Sequence, residues 1–174
     1  KKYFAPEFRL LGDGRLYFAT NYTWTSSEVN ADEGDTVIPP GFNGVPQDAR
    51  SFVRDGTRMQ GQSDHIGNLQ FGVENDSADF RATLIANYVS ERITARGAGT
   101  GSSREPDFVQ EPGVFLDFVY RKDFTVMDRD LGFALELRNL LGTDFDEYQE
   151  LGNKIRVNQY DLGTSGSVSL TARF

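Results

Sequence analysis

The chain of 174 residues carries 18 Lys and Arg against 26 Asp and Glu, and its formal net charge of -8 argues against nucleic acid as a partner. It has no cysteine and one histidine, which excludes a disulfide framework, a thiolate metal site, a His-based metal cluster and most His-dependent nucleophilic triads. Mean hydropathy is -0.48, and no run approaches the roughly 18 apolar residues of a transmembrane helix.

That hydropathy leaves a β-barrel open, because alternate residues of a barrel strand face a polar interior. The 14 Phe, 7 Tyr and 18 Gly suit an all-β chain rich in turns. Lys1–Pro6 has a basic start with no apolar stretch behind it, so it is not a signal peptide. Either a mature N-terminus begins here or the chain is a piece of something longer, and a strand-like start favours the piece.

Residues Lys2–Phe8 place Phe4, Pro6 and Phe8 in one register, and Pro6 makes this an edge or interrupted strand. Leu11–Gly14 is a tight turn signal. Arg15–Val29 is the longest strand expected. Leu16, Phe18, Thr20, Tyr22 and Trp24 form one face, against Arg15, Tyr17, Asn21, Thr23 and Thr25. From Asn30 to about Gln60 the pattern dissolves into Gly, Pro, Asp and Arg, and loops of that length are usually functional.

Alternation returns over Ser63–Glu74, with Leu69, Phe71 and Val73 against Asn68, Gln70 and Glu74. After a short turn at Asn75–Ser77, Phe80–Arg92 sets Phe80, Ala82, Leu84, Ala86 and Tyr88 against Arg81, Thr83, Asn87 and Glu91. Ile93–Pro112 is polar and reads as a loop. Val114–Phe124 and Leu131–Asn139 alternate again, joined by a short link. A third loop, about Leu140 to Leu162, precedes Gly166–Phe174, where Val168, Leu170, Ala172 and Phe174 oppose Ser167, Ser169, Thr171 and Arg173. The chain stops on that aromatic, as a strand ending at a membrane interface has reason to do.

Connections thus alternate short and long, which gathers the long loops at one end of an antiparallel sheet. The expected strands run to about 9–13 residues, where soluble strands average about 5–6. About 10 tilted residues cross an apolar band of roughly 25 Å. Tyr22, Trp24, Tyr88 and Tyr120 sit towards strand ends on the apolar face, as in the aromatic girdle of a membrane barrel. These features favour a membrane barrel over a soluble sandwich.

The polar face mixes Arg15, Arg81, Arg121, Arg138 and Arg173 with Glu74, Glu91, Asp117 and Glu136. It reads as a hydrated lumen wall with cross-strand ion pairs, compatible with a docking surface for something held inside. Other motifs are weak. The glycines of Gly97–Gly101 lack the strand-to-helix context of a phosphate loop. Asp144, Asp146, Glu147 and Glu150 lack the turn glycine of a dedicated Ca²⁺ loop and read as a solvated acidic loop. No carboxylate pair stands out for acid–base work, so neither an enzyme nor a cofactor is expected.

Five segments carry a resemblance: Gly61–Phe71 (GQSDHIGNLQF), Ala82–Arg92 (ATLIANYVSER), Leu116–Lys122 (LDFVYRK), Arg138–Gly142 (RNLLG) and Val168–Phe174 (VSLTARF). Together they resemble the C-terminal part of the β-barrel of TonB-dependent outer-membrane receptors. The resemblance extends from Gly61 to Phe174 and more loosely over Arg15–Val29. Arg138–Gly142 looks like the penultimate strand entering the last external loop. Val168, Leu170, Ala172 and Phe174 look like the barrel-assembly signal, although Leu170 and Ala172 stand where aromatics are frequent.

The family's barrel has about 22 strands, and about seven are expected here. Seven antiparallel strands cannot close by themselves, since single-chain bacterial barrels use even numbers. The resemblance therefore implies that residues 1–174 are the C-terminal portion of a larger transmembrane barrel, with plug domain and earlier strands outside this sequence. It implies the bacterial outer membrane, with loops 30–62, 93–112 and 140–163 outside and short turns periplasmic. The implied activity is energised uptake of a scarce ligand such as a siderophore, cobalamin, glycan or peptide. The implied partners are outer-membrane lipid, the rest of barrel and plug, TonB through the missing N-terminal part, the barrel-assembly machinery and a surface lipoprotein. No ligand-binding residue carries over. The rival readings are a passive porin or structural barrel, a soluble glycan-binding β-sandwich, and a docking partner of some other activity.

Overall fold

Strict alternation of apolar and polar side chains becomes antiparallel sheet. The computed structural model describes residues 2–4, 13–99 and 104–173. In chain order its strands are β1 (Lys2–Phe4), β2 (Arg15–Trp24), β3 (Thr36–Val37), β4 (Gln47–Asp48), β5 (His65–Asn75) and β6 (Phe80–Val89). There follow β7 (Arg92–Ala95), β8 (Phe108–Gln110), β9 (Gly113–Val126), β10 (Arg129–Arg138), β11 (Phe145–Glu150), β12 (Lys154–Tyr160) and β13 (Ser165–Arg173).

The main sheet has seven strands in the order β1-β2-β5-β6-β9-β10-β13, every pairing antiparallel. It is an up-and-down meander once the loop strands are set aside. Its edges, β1 and β13, do not pair with each other among the described residues, so the sheet is open.

Register fixes the two faces. Leu16, Val73, Ala82, Tyr120, Leu135 and Val168 form one continuous row across six strands. On the opposite face the neighbouring row is Tyr17, Gly72, Thr83, Val119, Glu136 and Ser167. A slip of one residue in any strand would exchange its faces, so the pattern specifies the pairing strongly.

Two turns at the short-turn end show how the hairpins close. Asn75 accepts a hydrogen bond from the Ala78 amide at 2.9 Å, a side-chain mimic of a backbone turn. Between β9 and β10 only Met127 and Asp128 intervene, at φ 52° and 56°, the left-handed pair of a type I′ turn.

Two expected boundaries move, and a third falls partly outside the described residues. β2 stops at Trp24, and Val29 makes only an isolated bridge to Thr57. The strand expected over Lys2–Phe8 is seen at Lys2–Phe4, and residues 5–12 lie outside the described ones, so the turn at Leu11–Gly14 is described only at Asp13 and Gly14. The strand expected to reach Arg92 breaks after Val89 and resumes as β7 in a different sheet.

A larger correction concerns the long connections, which read as patternless loops and are folded. β3 and β4 form a hairpin, followed by a 3-10 turn at Ala49–Ser51 that Asp48 caps by accepting from the Arg50 amide. β7, β8, β11 and β12 form a four-stranded sheet in the order β12-β11-β8-β7. Charge hides this sheet from a hydrophobic pattern: β11 is FDEYQE, β12 is KIRVNQY, and their register shifts between Glu147 and Tyr148.

Candidate functional site

Burial on the main sheet is the reverse of what a water-soluble layer needs. The most enclosed side chains lie on the polar face: Tyr17 is 2% exposed and Glu74 4%. The apolar face is open, with Phe71 at 51%, Val168 at 67% and Leu170 at 68%. Phe18, Leu69, Leu84 and Val114 are exposed on the same face. Among the described residues no second layer covers it. In sequence, two residues separate the end of β6 from the start of β7, and two separate the end of β8 from the start of β9.

Of the expected girdle, Tyr22 and Trp24 stand at the loop end of β2 and Tyr88 at the loop end of β6. Tyr22 and Tyr88 share a row across Gly67. The Tyr22 hydroxyl is hydrogen-bonded to His65 Nδ1 at 2.7 Å, with the rings stacked at 6.1 Å. Tyr120 differs: it lies midway along β9, its centroid 6.5 Å from Phe80 and 6.1 Å from Phe133. Val168, Leu170 and Ala172 share the apolar face with Leu135, Phe133 and Leu131, whereas Phe174 lies outside the described residues. Charges on this face are Lys2 on the edge strand and Lys122 and Arg129 towards the short-turn end, where a long stem can follow an apolar surface while its head reaches water.

The polar face carries ion pairs, which run between strands at Glu74 and from Glu136 to Arg121, and within β10 from Glu136 to Arg138. Glu74 sits between Arg15 at 3.5 Å and Arg81 at 2.9 Å, and Glu136 between Arg121 at 3.7 Å and Arg138 at 3.3 Å. The Arg81 contact is off the line of a hydrogen bond, so it is Coulombic. Asp117 accepts the Asn139 amide at 2.9 Å. A cleft of about 680 Å³ opens here beside Arg121, Asp123, Asp130 and Glu136. Glu91, expected on this face, lies beyond the end of β6 and belongs to the loops. The side chain of Arg173 is not among those described.

At the other end, side chains tie the three long connections together. Arg58 donates to Asp64 at 3.1 Å and to Glu91 at 2.8 Å, and the Tyr148 hydroxyl donates to Glu91 at 2.9 Å. The Arg58 hydrogen bond holds the Glu91 carboxyl below its ordinary range. Burial first, then Glu91, pushes the Tyr148 phenol up. Lys154 donates to Glu111 at 3.1 Å and lies 4.2 Å from the Tyr148 ring centroid. Arg96 pairs with Asp107 at 2.7 Å, and Arg104 donates to the Phe52 carbonyl.

The expected acidic loop is engaged in pairing: Arg156 grips Asp146 at 3.0 and 3.1 Å, and Glu147 accepts from Thr94. Among the described residues no group of three His, Cys, Asp or Glu could hold a metal ion. Arg58, Arg104 and Tyr148, which organise this end, carry no sequence motif; the arginines at 50, 54 and 58 were the nearest thing to a signal.

The chain matches no family model, no curated protein and no solved structure.

Proposed function

We propose that this chain is a wall segment of an outer-membrane β-barrel, the C-terminal part of a TonB-dependent receptor that imports a scarce ligand by energised uptake. The observation that carries the reading is the uncovered apolar face. Apolar surface gains roughly 25 cal/mol per Å² on leaving water, and a contiguous exposed apolar patch marks a surface that meets a partner or lipid. Lipid removes that cost. A β-sandwich requires a second layer over the same face, and none is present among the described residues.

Further support comes from the strands of 9–14 residues in the six longer members of the sheet, and from loops segregated to one end. Open edges are not tolerated in hydrocarbon, so β1 and β13 would pair with the remaining strands of the barrel. In this orientation the folded loop end faces outward, where a siderophore, cobalamin, glycan or peptide arrives, and the ion-paired face lines the lumen against a plug. A surface lipoprotein would meet the loops, TonB the periplasmic side.

Trp24, the single tryptophan, makes the reading testable. In vesicles, lipids spin-labelled near the headgroup should quench its fluorescence more strongly than lipids labelled at the chain end, and aqueous iodide should quench it weakly. Strong iodide quenching with no effect of either lipid label would sink the membrane reading. Uptake abolished by collapsing the proton-motive force separates an energised receptor from a passive barrel, which would conduct without it.

A further inference from the structure

We infer that the cleft between the long connections is a binding site for a small oxyanion, a carboxylate or phosphate group carried on an organic molecule. The cleft, about 590 Å³, is lined by Arg50, Arg54, Asp55, Arg104, Pro106 and Glu150, among others, and so draws on all three long connections. The inference depends on loop geometry alone and goes beyond the transport reading.

The three guanidinium groups are not equally engaged. Asp48 holds Arg50 through two contacts, at 3.3 and 3.1 Å. Arg104 donates through Nη2 to the Phe52 carbonyl, yet its Nε is buried with no acceptor among the described residues. The Arg54 side chain has no acceptor among the described residues. A desolvated N–H on a charged group is unfavourable until an acceptor arrives. The planar guanidinium fork fits two oxygens of a carboxylate or phosphate, and a charged acceptor gives the stronger bond.

The carboxylates nearby set the size of the charge that fits. Asp55 accepts the Ala31 amide at 3.1 Å, which fixes its orientation. Glu150 is exposed. Three lining arginines meet two lining carboxylates, and Asp48 already neutralises Arg50 from outside the lining, so the guanidinium groups of Arg54 and Arg104 are the ones left to meet an anion. One oxyanion group is accommodated, and a polyanion would meet Asp55 and Glu150.

The test follows the arginine Nε–H resonances of the ¹⁵N-labelled full chain during titration with sodium phosphate and, separately, sodium acetate, ionic strength being held constant with chloride. The expected result is a saturable shift of the Arg104 Nε–H in at least one series, which then assigns the phosphate or the carboxylate. Arg54→Gln, at an exposed and unpaired position, should weaken binding roughly tenfold, while Arg121→Gln at the far end of the sheet leaves it unchanged. Linear, unsaturable shifts in both series, or Arg54→Gln binding as well as the unsubstituted chain, would overturn the inference. Saturation is read independently of Trp24 quenching, so the two proposals can fail separately.

Discussion

The Tyr17 ring occupies the space that any side chain at Gly72 would need: a β-carbon built there would lie 2.6 Å from Tyr17 Cζ and 2.6 Å from the Ala82 carbonyl oxygen. The two residues are direct partners on adjacent strands, and the Tyr17 hydroxyl reaches over Gly72 to the Thr83 hydroxyl on the next strand. One aromatic thus clasps three strands of the polar face, covering a glycine that would otherwise weaken its strand. Gly72→Ala should destabilise the protein by about 1–3 kcal/mol through overpacking. Tyr17→Phe should cost about 1 kcal/mol through the lost hydroxyl contact. Thermal unfolding in detergent measures both, and an alanine tolerated at 72 would show that the ring moves aside freely.

Asn139 closes the base of the third long connection. Its amide donates to the carbonyls of Thr143 and Gly163, each at 3.0 Å, and accepts the Thr143 amide at 2.9 Å. Its backbone sits at φ 54°. Asn139→Gly keeps the backbone and loses the amide, whereas Asn139→Ala also forces a β-carbon into the left-handed region, at a further cost of about 1–2 kcal/mol. Both should make residues 139–164 more sensitive to protease, and alanine should lower the melting temperature more than glycine. Equal melting temperatures would mean that the hydrogen bonds alone matter.

The two bridging glutamates of the polar face should respond unequally. The Glu74 side chain is 5% exposed and that of Glu136 is 28%. Glu74→Gln removes a shielded charge from between Arg15 and Arg81 and should cost about 1–3 kcal/mol. Glu136→Gln, between two exposed arginines, should cost less than about 1 kcal/mol. Unfolding midpoints of the two variants side by side decide this, and a reversed order would sink the shielding argument.

The main sheet was legible because one face is continuously apolar, so Leu16, Phe18, Leu69, Phe71, Leu84, Leu135 and Val168 all fall at period two. The loop sheet was illegible for the complementary reason. β11 and β12 mix charged residues into short strands, with Arg156 paired to Asp146 across them, and β7 and β8 have only four and three residues. Glu91 could be placed by alternation only while its strand was expected to reach Arg92; the break after Val89 removed it from the face. The arginines of the cleft stand at loop positions 50, 54 and 104, and only tertiary folding brings them together. Tyr120 marks a limit of another kind, since alternation gives its face but not its height along β9.

Acid should loosen the loop end through Glu91. Its carboxyl is held below the ordinary value of 4.5, first by the Arg58 hydrogen bond, against an opposing desolvation, and then by the Tyr148 hydroxyl. Because the folded value is depressed, the stabilisation is fully present above 4.5 and is lost as pH falls through the lower folded value. Arg58 and Glu91 are each about a third or more exposed, so solvent screens the pair and keeps its worth within about 1 kcal/mol. Amide exchange in β7, β8 and β11, corrected for its intrinsic pH dependence, should therefore rise up to about fivefold across that acid window. Other carboxylates in the loops titrate as well, so the informative quantity is the difference between the unsubstituted chain and Glu91→Gln. The glutamine cannot lose a charge. Its exchange should be faster at neutral pH and rise less in acid, and parallel profiles for the two proteins would remove Glu91 as the group that couples the loops to pH.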